Sequence, residues 1–224
     1  MPEIFDAAVN PAAETVSQKP LHKRKKPTEY SEVMRTCPIN SRPLSAFLVQ
    51  PSTVFMSILE EDEKILMLVR KHFITNLRWI ILVVIMLFAP LITNLTPLTF
   101  LPARFITATG VLWYLLTLGI ALNGFLSWFY NANVITDERV IDIDFLNLVY
   151  KNVSSAKIDN IEDVTVQMGG AIRNVLDFGT VLIQTAAEKT EFEFDDAPHP
   201  QKVAKLLNEL MLEEEQEKLD GRAK

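Results

Sequence analysis

The sequence predicts a membrane protein made of a two-helix transmembrane hairpin, a small antiparallel β-domain that curls or closes, and a capping C-terminal α-helix. Three observations carry this. Trp79 to Trp128 is a stretch of 50 residues holding one charge, Arg104, a run that a bilayer requires and a soluble domain of this size does not. After Tyr130 the pattern changes to the period-two alternation of half-buried strands. From Val203 onward, apolar residues recur at helical spacing.

Composition narrows the classes. With 49% hydrophobic and 22% charged residues among 224, a disordered chain or a collagen-like repeat is excluded. The single cysteine, Cys37, builds neither a disulfide nor a thiolate zinc site, and His22, His72 and His199 are far apart in sequence, so no metal or cofactor is expected. Residues 1–104 hold 12 basic and 9 acidic side chains, and residues 105–224 hold 10 and 19. A chain this acidic, at −6 overall, makes a poor nucleic-acid partner.

Residues 1–43 contain Pro2, Pro11, Pro20, Pro27, Pro38 and Pro43 and few large apolar side chains, which reads as a disordered arm. Within it Lys19 and Lys23, Arg24, Lys25 and Lys26 place five cations in eight residues. Such a segment either rests on anionic lipid, at about 1 kcal/mol per cation, or is a solvated tail. Residues 44–76 form a juxtamembrane segment in which Glu60-Glu61-Asp62-Glu63 precedes the apolar and basic run Lys64 to Phe73. An interfacial helix with acids at its N-terminus fits the run, and a short strand competes with it. His72, beside Arg70 and Lys71, reads as a surface residue at the headgroups.

The hairpin occupies residues 77–128, with spans at about 77–95 and 105–128 separated by Thr96-Pro97 and Pro102-Ala103-Arg104. At 1.5 Å per residue these reach roughly 28 Å and 36 Å, enough to cross a hydrocarbon core of about 30 Å. Backbone groups in hydrocarbon must be satisfied internally, so both spans should be helices, with Pro90 a kink site in the first. Arg70, Lys71 and Arg78 before the first span and Arg139 after the second outnumber Arg104 in the connection. Both termini are therefore expected on the cytoplasmic side. Trp79 and Trp128 with Tyr130 suit an interfacial aromatic belt there. Gly119, Asn123 and Gly124 permit close helix approach, either inside the hairpin or between copies. No signal peptide is expected, because no apolar core precedes the first span. Asn94-Leu95-Thr96 is not expected to be glycosylated so close to the bilayer.

The cytoplasmic β-domain covers residues 129–212. Strands are predicted at Asn131 to Thr136, Val140 to Phe145, Leu148 to Ser154, Asp163 to Met168, Thr180 to Thr185 and Lys189 to Phe194, punctuated by Asp137-Glu138, Gly169-Gly170 and Gly179. In the second, Ile141, Ile143 and Phe145 point one way and Asp142 and Asp144 the other. Val203, Leu206, Leu207, Leu210 and Met211 then make one helical stripe. An acidic tail follows over residues 213–224.

Several of these segments carry a resemblance: Arg70-Lys71-His72, Ile135-Thr136-Asp137-Glu138-Arg139-Val140-Ile141-Asp142, Ile161-Glu162-Asp163-Val164, Phe178-Gly179-Thr180-Val181 and Ile183-Gln184-Thr185-Ala186. Over about residues 60–210 the chain resembles the bacterial pleckstrin-homology-like membrane proteins of the YdbS-like or DUF304 group. That resemblance implies a partly open PH-like β-barrel at the membrane surface, closed by the C-terminal helix. The family fold has one strand more than the six found here; two strands are merged, or Lys64 to Arg70 supplies the seventh. The resemblance implies no reaction.

Chemical motifs are weak. Asp142-Ile143-Asp144 would put two carboxylates on one strand face, as metal-dependent glycosyltransferases require, but no nucleotide-binding α/β domain accompanies it, and a solvent-facing strand edge is the simpler reading. Asp159, Glu162 and Asp163 read as an acidic turn. Gly169-Gly170 lacks the lysine and following helix of a phosphate loop, and His199 between two prolines reads as a surface loop. Arg139, Lys151, Lys157, Arg173 and Lys189 are outnumbered by neighbouring acids, which disfavours an anionic headgroup site. The expected function is a membrane-anchored, non-enzymatic interaction or assembly module whose partners are the lipid bilayer and a second copy or another membrane protein. The alternatives are a lipid-headgroup-binding module and a metal-dependent membrane enzyme using Asp142 and Asp144. The expected location is the bacterial cytoplasmic membrane.

Overall fold

The computed structural model describes residues 31–40, 42, 44–51, 59, 63–94, 102–145, 151–186 and 191–219. In chain order the elements are α1 (Glu32–Thr36), β1 (Phe47–Val49), β2 (Ile65–Val69), a 3-10 turn (Phe73–Asn76), α2 (Leu77–Asn94), α3 (Ala103–Tyr130), β3 (Ala132–Thr136), β4 (Arg139–Phe145) and β5 (Lys151–Lys157). After a second 3-10 turn (Ile158–Asn160) come β6 (Ile161–Gln167), α4 (Ala171–Val175), β7 (Phe178–Thr185), β8 (Glu191–Pro198) and α5 (Pro200–Leu219).

The strands form two antiparallel sheets, one ordered β1-β2-β3-β4-β5 and the other β6-β7-β8, and they do not close into one barrel. The larger core lies between them: Met67, Val69, Ile135, Val140 and Ala156 from the first sheet meet Val181, Ile183, Phe192 and Phe194 from the second. Val203, Leu206, Leu207 and Leu210 of α5 complete that core, as the helical stripe requires. Leu48, Leu68, Val134, Ile141 and Ile143 form a second cluster on the opposite face of the five-stranded sheet.

The competition over residues 64–71 resolves in favour of a strand. All five residues of β2 are buried, and only a strand packed on both faces can bury a continuous Ile-Leu-Met-Leu-Val run. It pairs with β3 through Val69↔Asn133, Leu68↔Val134 and Met67↔Ile135. The β-domain is therefore discontinuous in sequence. Its first sheet draws β1 and β2 from the expected juxtamembrane segment, and the helical hairpin is an insertion between two neighbouring strands.

Two other expectations change. The end of the presumed arm folds: Ser31 caps α1 by accepting a hydrogen bond from Met34 N–H, and Val33 and Met34 are buried in the larger core. The Lys23 to Lys26 cluster lies outside the described residues. The acidic run before residue 64 does not start a helix; of its members Glu60 to Asp62 lie outside the described residues, and Glu63 is buried beside the β3–β4 turn. There Arg139 Nε and Nη2 donate to the two Glu63 oxygens at 2.9 Å each, and Thr136 Oγ1 donates to Oε1 at 2.6 Å. Asp137 Oδ1 accepts the Lys64 N–H at 2.9 Å. Arg139 is thus bound within the domain at the end away from the hairpin.

Helices α2 and α3, of 18 and 28 residues, are long and apolar enough to cross a bilayer. Only 6% of the most apolar window of each is buried, which sets them apart from the core helices of a soluble domain. Pro90 has no N–H, so the Met86 carbonyl four residues earlier loses its helical donor. Trp113 of α3 supplies one, with Nε1 donating to Met86 O at 2.8 Å. At α5 the helix runs on through the expected acidic tail as far as Leu219.

Candidate functional site at the foot of the hairpin

Antiparallel pairing gathers one end of each sheet beneath the two long helices. Strand β2 ends there and continues through Arg70, Lys71 and His72 into α2, while β3 begins there one residue after α3. The register sets Asn133 opposite Asp142 and Asp142 opposite Ser154, so these side chains share one face of the sheet. Farther from the hairpin the same face carries Ile135, Val140 and Ala156, which are core. The result is a shallow, solvent-open cleft with a cavity volume of about 30 Å³, lined by Lys71, Asn131, Asn133, Asp142, Asp144, Glu193 and Asp195 among others.

Four carboxylates against one ammonium make this cleft acidic. Lys71 Nζ is 3.2 Å from Asp195 Oδ2, and the Asn131 side-chain oxygen accepts the Phe145 N–H. The expected strand edge is an interior strand, β4, and Asp142 on it is only 9% exposed, whereas Asp144 faces solvent as expected. Among the described residues no three His, Cys, Asp or Glu side chains converge as a metal-ligand set.

The expected surface cations are placed differently from one another. Arg70 is completely buried rather than facing headgroups, since β2 carries it into the wedge between sheet and hairpin. Its Nε donates to Phe129 O at 2.9 Å and its Nη1 to Ser45 O at 3.0 Å, and the guanidinium lies 4.5 Å from the Phe129 ring centroid. Burial lowers its pKa to about 10. Lys71 is half-exposed and Arg78 exposed on the first turn of α2. Trp79 Nε1 donates to Asn76 Oδ1 at 3.1 Å, Trp128 Nε1 donates to the Lys71 carbonyl at 2.8 Å, and the exposed Tyr130 ring lies 5.3 Å from Phe145. Of the three small or polar positions in the second span, only Gly124 serves close packing within the hairpin. A Cβ there would come within 2.6 Å of the Trp79 ring. Gly119 has open space around its Cα, and both it and Asn123 face outward.

A second cluster beside the cleft has no counterpart in the sequence reading. His199 Nδ1 lies 2.5 Å from Asp177 Oδ2. His72 stacks on Phe178 with ring centroids 4.9 Å apart and planes within 5°, and its N–H donates to Asp196 O at 2.8 Å. Desolvation first, then His199, lowers the His72 pKa, with Asp196 and Asp177 opposing. Asp177, Asp196 and His199 adopt left-handed φ values of 50°, 48° and 50°, a backbone cost of about 1–2 kcal/mol each. The only warning in the sequence was Pro198-His199-Pro200; the partner lies 22 positions away. His199 also starts α5, its carbonyl accepting the Lys202 N–H at 2.9 Å, so the pair holds a chain reversal.

No protein-family model matches the chain, and no curated protein or solved structure matches it.

Proposed function

We propose that the protein is a membrane-anchored assembly module, a pleckstrin-homology-like β-platform fixed to the cytoplasmic face of a bacterial inner membrane by its helical hairpin, without a catalytic role. The observation that carries this reading is the insertion of the hairpin between β2 and β3, two strands hydrogen-bonded to each other. With Arg70 and Trp128 tying the helix ends to the strand ends, the platform cannot swivel freely on its anchor. Two facing antiparallel sheets with α5 packed against β6 and β7 support the partly open PH-like architecture. Lys71, Arg78 and the basic segment Lys23 to Lys26, against Arg104 alone in the connection, support cytoplasmic termini.

Assembly has an available edge. Among the described residues β5 pairs with β4 alone, and Val153 on it is 43% exposed. A second copy or another membrane protein adds a strand there by β-augmentation. An anionic headgroup is disfavoured in the acidic cleft, where carboxylates outnumber cations. Cross-linking and mass photometry of the full chain in native lipid discs test the proposal. A defined oligomer or a recurrent partner, lost in Val153→Lys, is the expected result. A monomer at every concentration, with or without a specifically bound lipid, refutes it.

A further inference from the structure

The β6–β7 connection carries an apolar face that, among the described residues, no other segment covers. In α4 and the residue after it, Ile172, Val175 and Leu176 are 69%, 81% and 39% exposed. Their i, i+3, i+4 spacing places them on one side of the helical turn. Arg173 points elsewhere, its Nη2 held 2.9 Å from Asp196 Oδ1 and its guanidinium 5.9 Å from the Phe178 ring centroid. The turn is thereby fixed in one orientation.

Topology sets where that face lies. Strand β7 starts at Phe178, whose ring stacks on His72, and the last half of β8 carries Asp195 and Asp196, which hold Lys71 and His72. Lys71 and His72 are the last residues before the 3-10 turn that opens into α2. Therefore α4 hangs from the hairpin end of the second sheet, beside the point where the first long helix begins. Phe73, at that point, is 63% exposed, and the exposed surface continues upward through Leu77, Ile80 and Ile81. An apolar patch beside the foot of a bilayer-crossing helix, linked to it through the Phe178–His72 stack, meets the same solvent as that helix.

We infer that α4 is a membrane foot: Ile172, Val175 and Leu176 enter the cytoplasmic leaflet beside Phe73, and the bilayer itself is their partner. Side chains of this kind bury to a depth of about 5–10 Å at the headgroup–acyl boundary. Arg173 at the rim keeps its carboxylate partner on the aqueous side. The foot gives the platform a third point of support besides the two helix ends and sets the tilt of the sheets, and hence of the β5 edge, relative to the membrane plane. This inference rests on the bilayer reading of the hairpin.

The test uses the full-length chain with Cys37→Ser, reconstituted in phosphatidylcholine vesicles, carrying a single cysteine labelled with an environment-sensitive fluorophore. Val175→Cys and, separately, Ile172→Cys report on the foot, Phe88→Cys on the apolar face of α2, and Leu219→Cys on the far end of α5. All four sites are exposed, so labelling leaves the core intact. Lipids bearing a doxyl quencher near the headgroup are expected to quench the two foot labels about twofold and to leave the Leu219 label unchanged, while quenchers near the chain end reach the Phe88 label. Quenching at Phe88 with none at Val175 or Ile172 overturns the foot and spares the anchor. No quenching at Phe88 overturns the bilayer reading and the foot with it.

Discussion

The hydrogen bond from Trp113 to Met86 has one physical cause, the missing N–H of Pro90, and a double-mutant cycle measures it. In an unbroken helix the Met86 carbonyl would accept from residue 90; proline removes the donor, and Trp113 Nε1 replaces it at 2.8 Å across the hairpin. Trp113→Phe deletes the donor and part of an indole packed between the helices. An orphaned carbonyl in hydrocarbon costs up to several kcal/mol in principle, whereas measured interhelical hydrogen bonds contribute about 0.6 kcal/mol on average and about 1.7 at most. The substitution should therefore cost about 2–3 kcal/mol, roughly half of it lost packing. Pro90→Ala restores a backbone N–H to Met86, so in that background Trp113→Phe should cost only the packing part, about 1 kcal/mol. The coupling energy of the double-mutant cycle is then about 1–2 kcal/mol. Unfolding in mixed micelles by titration with dodecyl sulfate, followed by far-ultraviolet circular dichroism, gives the four free energies. A coupling below about 0.3 kcal/mol, the usual limit of additivity, would refute the substitution of an indole for the missing amide.

Three further outcomes are expected. Arg70→Met leaves the Phe129 and Ser45 carbonyls without their donor but relieves a desolvated charge, for a net loss of about 2–4 kcal/mol. In a chain of this length that lowers Tm by about 4–16 °C, readable by scanning fluorimetry; Lys71→Met, at a half-exposed pair, should move it far less. Glu63→Ala should cost about 3 kcal/mol by removing the carboxylate that Arg139 grips with two hydrogen bonds, and Glu63→Met with Arg139→Met should regain most of it; equal costs for the single and double variants would contradict a paired role. Glu214 has its pKa raised to about 7, by desolvation first and then by Asp159 and Glu217. Between its ordinary value of 4.5 and about 7, the folded state binds more protons than the unfolded one, so stability falls as pH rises through that window. Glu214→Gln should match wild type below it and exceed it by about 1 kcal/mol above pH 7 after solvent screening. A constant offset across the pH range would disprove the assignment.

What could be read from the sequence was periodicity. The long apolar run, the alternation of Val140 to Phe145 and the stripe of α5 each encode their element locally; the first two appear within about three residues of their expected bounds, while α5 runs seven residues into the expected acidic tail. What could not be read was pairing. Ile65 to Val69 is apolar at every position because β2 is covered on both faces, which erases the alternation that marks a strand. Glu63 and Arg139 are 76 positions apart, and each taken alone reads as a surface charge. Arg70 followed the same pattern: beside Lys71 and His72 it reads as part of a basic cluster, and only the fold reveals that it points inward. Asp142 and Asp144 were placed on the right face, but the facing sheet that converts that face into a cleft is built from residues about 50 positions later.

The insertion between β2 and β3 creates a geometric mismatch that explains several of these residues together. Paired strands run about 4.8 Å apart, while packed helices need about 8–10 Å between axes, so helices leaving neighbouring strands must splay. On the α3 side only Asn131 separates Tyr130 from Ala132, which leaves little room to turn; its side chain is spent bracing Phe145 N–H. The offset falls on the other side, where Arg70 to Asn76 separate β2 from α2. Arg70 fills the wedge so opened, bonding the last turn of α3 at Phe129 and the segment before β1 at Ser45. Trp128 closes it from above through the Lys71 carbonyl. Close approach is restored higher up by Gly124 against Trp79. A displacement of either hairpin helix would therefore be felt first at Arg70 to His72, the residues that also contact the acidic cleft and the strands that carry α4, so the hairpin, the cleft and α4 should move as one body.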